Sequence, residues 1–146
     1  MLSGACLCER IQYEITGEPR FMYLCYCGKC RAASGASFVT NMIVDADRFR
    51  ITAGKESLAA FESSPNKFRH FCSICGSPIY SQGETTKQVV SVRCGTLKQD
   101  PGISVAYHAF VASKAPWVDI HDDQPQFSEW PEPALVKQLL TARSGR

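Results

Sequence analysis

Three cysteines within six residues, in "CYCGKC" from Cys25 to Cys30, constrain this chain more than any other feature. Five more accompany them: Cys6, Cys8, Cys72, Cys75 and Cys94. Eight thiols in a chain of 146 residues are either a disulfide framework or a set of metal ligands. The spacings favour metal, because C-x-C and C-x-x-C place sulfurs beside one another. "MLSGAC" superficially matches a lipoprotein cleavage box, but no charged and then apolar region precedes it. The expectation is therefore a mature, cytoplasmic chain in a reducing compartment, where disulfides are rare.

Length suits one domain over 1–146, with a modest core from 45% apolar residues. The net charge is +2 and both signs are mixed along the chain. No lysine or arginine run would track a phosphate backbone, which argues against a nucleic-acid partner. No apolar stretch is long enough to span a membrane.

The apolar pattern predicts a mainly β fold of short antiparallel strands. "RIQYEIT" alternates, with Ile11, Tyr13 and Ile15 on one face. "RFMYL", "SFVTNMIV", "RFRIT", "SLAAFES" and "KFRHF" follow, separated by turn-forming residues. "QVVSVRC" and "SVAYHAFV" are valine-rich and aromatic. Only "PALVKQLLTA" reads as helix, with Leu135, Val136, Leu139 and Leu140 forming a stripe and Pro131 and Pro133 at its entry.

Tetrahedral zinc holds thiolates at about 2.3 Å, which sets neighbouring sulfurs about 3.8 Å apart. The C-x-x-C turn of "FCSICGSP" reaches this readily, and Gly76 offers the positive φ of a tight turn. In "GACLC" both thiols lie on one face of an extended strand. The economical assignment pairs Cys6 and Cys8 with Cys72 and Cys75 as a closed, structural zinc site. Cys25, Cys27 and Cys30 then offer three thiolates to a second ion and leave a fourth position open, as catalytic zinc sites do. Cys94 either seals that position or is a small buried apolar residue. A metal-free, redox-active cluster is a further alternative.

Three thiolates leave the ion core with a net charge of about −1, a weak Lewis acid but a soft one. Such a site suits a thiol substrate, held as its thiolate, better than hydrolysis. Lys29 and Arg31 flank Cys30 and are candidate contacts for the carboxylates of a peptide thiol, with solvated surface charge as the alternative. His70, His108 and His121 are candidate ligands or acid–base groups, and a lone strand histidine such as His108 reads as a hydrogen-bonded structural residue. Trp117 reads as core or as a lid over the sheet, and no role is assigned to Lys114. There is no Ser-His-Asp set and no phosphate-binding glycine loop.

In "GACLCERIQYEI", "CYCGKCRAASGASF", "FCSICGSPIY", "VRCGTL" and "SKAPWVDIHDDQPQF" the chain resembles the glutathione-dependent formaldehyde-activating enzyme family, which includes centromere protein V. The resemblance covers nearly the full length. It implies a zinc-stapled, all-β "β-tent" with a short C-terminal helix. It also implies two zinc ions per chain, one structural at Cys6, Cys8, Cys72 and Cys75 and one catalytic at Cys25, Cys27 and Cys30. The implied reaction is that of a carbon–sulfur lyase joining glutathione, as co-substrate, to formaldehyde or a related small aldehyde, giving S-(hydroxymethyl)glutathione. Tyr26 stands where the family often carries a histidine, and Cys94 stands where a small residue is expected before "GTL". Lys98-Gln99 replaces a more acidic pair. The competing function is a non-catalytic two-zinc β module, sealed by Cys94, that binds a protein or nucleic acid.

Overall fold

Two β-sheets share one apolar core, and the larger sheet carries the site on its far face. The computed structural model describes residues 1–142. The strands are β1 (Leu2–Ala5), β2 (Gln12–Ile15), β3 (Phe21–Cys25), β4 (Val39–Asp45), β5 (Phe49–Ala53), β6 (Leu58–Ser64), β7 (Lys67–Cys72), β8 (Pro78–Gly83), β9 (Val89–Arg93) and β10 (Val105–Ala109). Helix α1 (Gly28–Ser34) follows β3 directly, and α2 (Pro133–Ala142) closes the described chain. The small sheet runs β1-β2-β5 and the large one β10-β3-β4-β9-β8-β7-β6.

Alternation explains the packing. Ile11, Tyr13 and Ile15 point inward from the small sheet and are buried, as their spacing predicts. They meet Met42 and Val44 of β4, Ile79 of β8 and Val90 and Val92 of β9. Intervening residues of the large sheet point the other way: Asn41 opposes Arg93, and Arg69 opposes Ser81. A second core gathers Phe21, Tyr23, Val39, Ala106 and Tyr107 around Cys25 and Cys30, with Val136 and Leu139 of α2 packed against it. Pro133 opens α2, a position that needs no N–H donor. The side chain of Leu140, the last of the expected stripe, lies outside the described residues.

Four local readings are corrected. The pairing is not wholly antiparallel, because β10 runs parallel to β3, with Ala109 opposite Cys25. A second helix exists: Cys27 caps α1 by accepting the Cys30 N–H on its sulfur, and Gly35 ends it at φ 68°. Cys6 and Cys8 sit in a turn after β1, not on an extended strand, and Glu9 takes φ 59° to close it. Trp117 is neither core nor lid: it is 72% exposed, and its Nε1–H donates to Ser37 Oγ at 3.0 Å.

Candidate metal centres and the cavity beside them

The eight thiols are all unpaired by disulfide, and seven fall into two groups. Cys6, Cys8, Cys72 and Cys75 bring their sulfurs within 4.8 Å of one another. Cys6 Sγ lies 3.5 Å from Cys8 Sγ, and Cys8 Sγ lies 3.9 Å from Cys72 Sγ. These separations bracket the roughly 3.8 Å that a tetrahedral tetrathiolate requires. Backbone N–H groups already face the sulfurs: Ile11 N–H donates to Cys6 Sγ at 3.2 Å and Cys75 N–H to Cys72 Sγ at 3.5 Å. A hydrogen bond from Ser77 to Cys75 is the main reason that thiol is pulled down to about 5. Four soft donors, pre-supplied with N–H partners, fit zinc. The cluster ties the turn after β1 to the β7–β8 hairpin, so it joins the small sheet to the large one.

Cys25, Cys27 and Cys30 form the second group, also within 4.8 Å. Cys25 ends β3, Cys27 caps α1 and Cys30 sits one turn into it, with its N–H 3.3 Å from Cys27 Sγ. The C-x-x-C half of the motif is thus a helix cap and its third residue, which aims both thiols at one point. Cys30 is the acidic member, held down to about 5 chiefly by hydrogen bonding from Cys25 and further by Cys27 and Arg69. The same bond, with burial, pushes Cys25 well above the ordinary thiol range. Cys94 belongs to neither group. It packs against the first core, and burial raises its thiol to about 12.

All three thiols of the second group line a cavity of about 750 Å³ on the outer face of the large sheet. Four cations line it too: Lys29, Lys67, Arg69 and Arg93. No Asp or Glu does, and among the described residues none of the four cations forms a salt bridge. Arg69 donates from both terminal nitrogens to Cys30 Sγ, at 3.7 and 3.8 Å, while its Nε–H is held by Ser63 Oγ at 2.9 Å. Arg93 is only 7% exposed and donates to Asn41 Oδ1 at 2.6 Å. Burial, and next the charge of Arg69, lower the pKa of Lys67. A buried cation without a counter-charge is costly, so an acidic ligand would be drawn here.

Of the two flanking cations named from sequence, Lys29 lines this cavity and reaches Ser64 Oγ at 2.8 Å. Arg31 turns to the Ser113 carbonyl at 3.2 Å and is not among the lining residues. Sequence reading missed Lys67, Arg69, Arg93 and Asn41, which come from β7, β9 and β4. The signal was available in part: "KFRHF" alternates charged and aromatic residues on a strand whose other face must be apolar.

His108 is buried and bridges two groups. Its Nε2 lies 2.8 Å from Asp122 Oδ1, and its Nδ1 lies 2.8 Å from the Tyr26 hydroxyl. A carboxylate only accepts, so Nε2 donates to Asp122, and Nδ1 shares a hydrogen bond with the Tyr26 hydroxyl. The strand histidine is thus hydrogen-bonded structure, as read from sequence, and it anchors the residue between Cys25 and Cys27. His70 stacks on Tyr80 at 4.2 Å, and burial lowers its pKa. Lys114 donates to the Val118 carbonyl. His121 lines neither metal group nor the cavity.

Comparison with known proteins gives one consistent answer. The profile of the family described as "Glutathione-dependent formaldehyde-activating enzyme" matches residues 1–113. A Halomonas elongata protein provisionally named as such an enzyme is 24% identical over 148 aligned positions, covering 94% of this chain and 93% of that one. A Fusarium vanettenii protein with the same provisional name is 30% identical over 81 positions, covering 54% of this chain and 44% of that one. The crystal structure of a Rhodobacter sphaeroides protein shares the fold, with a TM-score of 0.56 at 21% identity over 70% of this chain and 90% of that one. Among the described residues no helix is long and apolar enough to cross a membrane. With the family profile spanning well over half its length, the chain belongs to the glutathione-dependent formaldehyde-activating enzyme family.

Proposed function

We propose that this chain adds the thiol of glutathione to formaldehyde, or to a related small aldehyde, at a zinc held by Cys25, Cys27 and Cys30. A second, structural zinc is assigned to Cys6, Cys8, Cys72 and Cys75. One observation carries the reading: three converging thiols open onto a cavity with four cations and no carboxylate. Zinc bound by the trio would favour the thiolate form of an incoming thiol.

The chain's own residues supply binding and orientation. Glutathione carries two carboxylates, and Lys29, Lys67 and Arg93 offer three cations for them. Asn41 and Ser91 fix Arg93, so its charge is pre-set and little ordering is lost on binding. Tyr23 and Trp130 give the cavity aromatic walls for the peptide's apolar parts. In the reaction the thiolate sulfur bonds to the carbonyl carbon and the carbonyl pair moves to oxygen. That oxygen takes one proton from water. Eight unpaired thiols suit a reducing compartment, consistent with a cytoplasmic enzyme.

Exchange NMR on glutathione and formaldehyde with the purified protein tests this. The expected result is accelerated formation of S-(hydroxymethyl)glutathione, with glutathione binding that cysteamine, which lacks carboxylates, does not displace. Exchange no faster than in buffer would overturn the reading.

A further inference from the structure

Helix α1 divides the outer face of the large sheet into two hollows. One is the thiol cavity. The other, about 380 Å³, opens beside Ala33 and Ser34. Its walls are apolar and aromatic: Val39, Phe61, Phe71, Pro78 and Tyr80. Arg69 and Arg93 line both hollows, so the two border one another at these residues. Formaldehyde has one carbon and no use for this second space, which lies within the size range of small-molecule sites.

We infer that the second hollow and Arg69 together form a subsite for an aromatic aldehyde of about the size of benzaldehyde. The ring would sit among Val39, Phe61 and Phe71, and the carbonyl oxygen would face Arg69. This rests on the thiol-addition reading and names its second substrate class.

Position supports the assignment. Addition joins the sulfur of the thiol to the aldehyde carbon, shifts the carbonyl pair to oxygen and moves the thiol's proton, by way of water, to that oxygen. Nothing is oxidised or reduced. Negative charge grows on the oxygen, so a fixed donor there acts on the transition state. Such a donor must stand between the reacting sulfur and the body of the aldehyde. Arg69 does so: its terminal nitrogens are 3.7 and 3.8 Å from Cys30 Sγ, Ser63 pins its Nε, and it also lines the apolar hollow. Arg93 is held through Nη1 by Asn41 and Ser91 and already serves a glutathione carboxylate, which leaves Arg69 as the donor for the aldehyde oxygen. Aromatic walls suit a flat ring, which gains edge and stacking contacts beyond the area it buries.

Benzyl alcohol, an unreactive analogue, is the probe. Its affinity is measured by NMR titration with the purified wild type, Ala33→Trp and Phe61→Ala. Ala33 and Phe61 are both exposed on their elements, so neither change enters a core. Filling the hollow with Trp, or removing a wall with Ala, is expected to weaken benzyl alcohol at least tenfold. With glutathione saturating, kcat/KM for benzaldehyde should fall at least tenfold further than that for formaldehyde. Equal affinity in all three proteins, or a parallel fall for both aldehydes, overturns the subsite. Absence of formaldehyde turnover in the wild type is a different failure: it sinks the thiol-addition reading and the aldehyde assignment with it, whatever the alcohol does.

Discussion

The Arg69 guanidinium faces Cys30 across 3.7 Å, and the two residues are 39 positions apart in sequence. Strand β7 brings the arginine to the outer face, and α1 turns the cysteine toward it. Ser63, on the neighbouring strand β6, holds the guanidinium in place through Nε. A cation fixed beside a thiolate lowers the thiol pKa and neutralises part of the charge that three sulfurs bring together.

Arg69→Gln removes that charge and leaves a shorter, neutral polar side chain. The expected loss in kcat/KM for glutathione and formaldehyde is roughly 10- to 100-fold, or about 1.4–2.7 kcal/mol of transition-state stabilisation. Zinc content should be unchanged, because Arg69 is not a ligand. Steady-state kinetics alongside metal analysis checks both halves. A variant that turns over normally would show that the guanidinium plays no part in the reaction.

The two cysteine groups differ in what they hold together, so their variants should differ in stability. Cys72→Ser breaks a cluster joining two sheets and should cost on the order of 3 kcal/mol or more, given the free energy that structural zinc adds to small domains. Cys27→Ser should lose one of two zinc ions while the sheets stay joined, with little further loss of stability, because a serine hydroxyl also caps the helix. Denaturant titration and metal analysis of both variants separate the roles. Similar stability losses would contradict the division into a structural and a catalytic ion.

Much of this was legible in the sequence, for physical reasons that differ by element. Ile11, Tyr13 and Ile15 announced their strand because one buried face imposes strict alternation. The C-x-x-C pairs announced themselves because ligand geometry limits spacing. By contrast, β1 contains Ser3 and Gly4 and β8 opens on Pro78, so propensity argued against both, and sheet pairing overrode it. Helix α1 (Gly28–Ser34) is seven residues long and is capped by Cys27. Its cap is a thiol, which the usual Ser, Thr, Asp or Asn signal does not include. The cavity cations come from α1 (Lys29), β7 (Lys67 and Arg69) and β9 (Arg93), and only the register of β9, β8 and β7 brings the strand cations to one face. No local pattern encodes that.

The Asp122–His108–Tyr26 chain should read out in both stability and pH dependence. Tyr26→Phe leaves the buried Nδ1 of His108 without its hydrogen-bond partner, at an expected cost of about 1–3 kcal/mol. His108, and next the Gln124 N–H, hold the Asp122 carboxyl below its ordinary range. A carboxyl depressed in the folded state contributes stability that is fully present above its unfolded pKa. That contribution disappears as pH falls through the folded value. Wild type should therefore lose stability more steeply than Asp122→Asn as pH drops below the ordinary carboxylate range. Thermal melts across acid pH measure the two slopes, and parallel curves would show that the pair carries no linkage.

Cys94 decides whether the three-thiol group is open. Its thiol packs against the core between the sheets, outside both cysteine groups, and burial there raises its pKa to about 12. A half-buried thiol that packs on apolar side chains, away from both sets of converging sulfurs, is a packing residue rather than a ligand. Cys94→Ala should thus keep two zinc ions per chain and full thiol-addition activity. It should lose only about 1 kcal/mol of stability from the atom removed from the core. Metal analysis of the variant gives a clean answer, because a sealing ligand and a packed one differ in zinc count rather than in degree. A fall from two ions to one would close the fourth position with the protein's own sulfur, and no incoming thiol could then reach the metal.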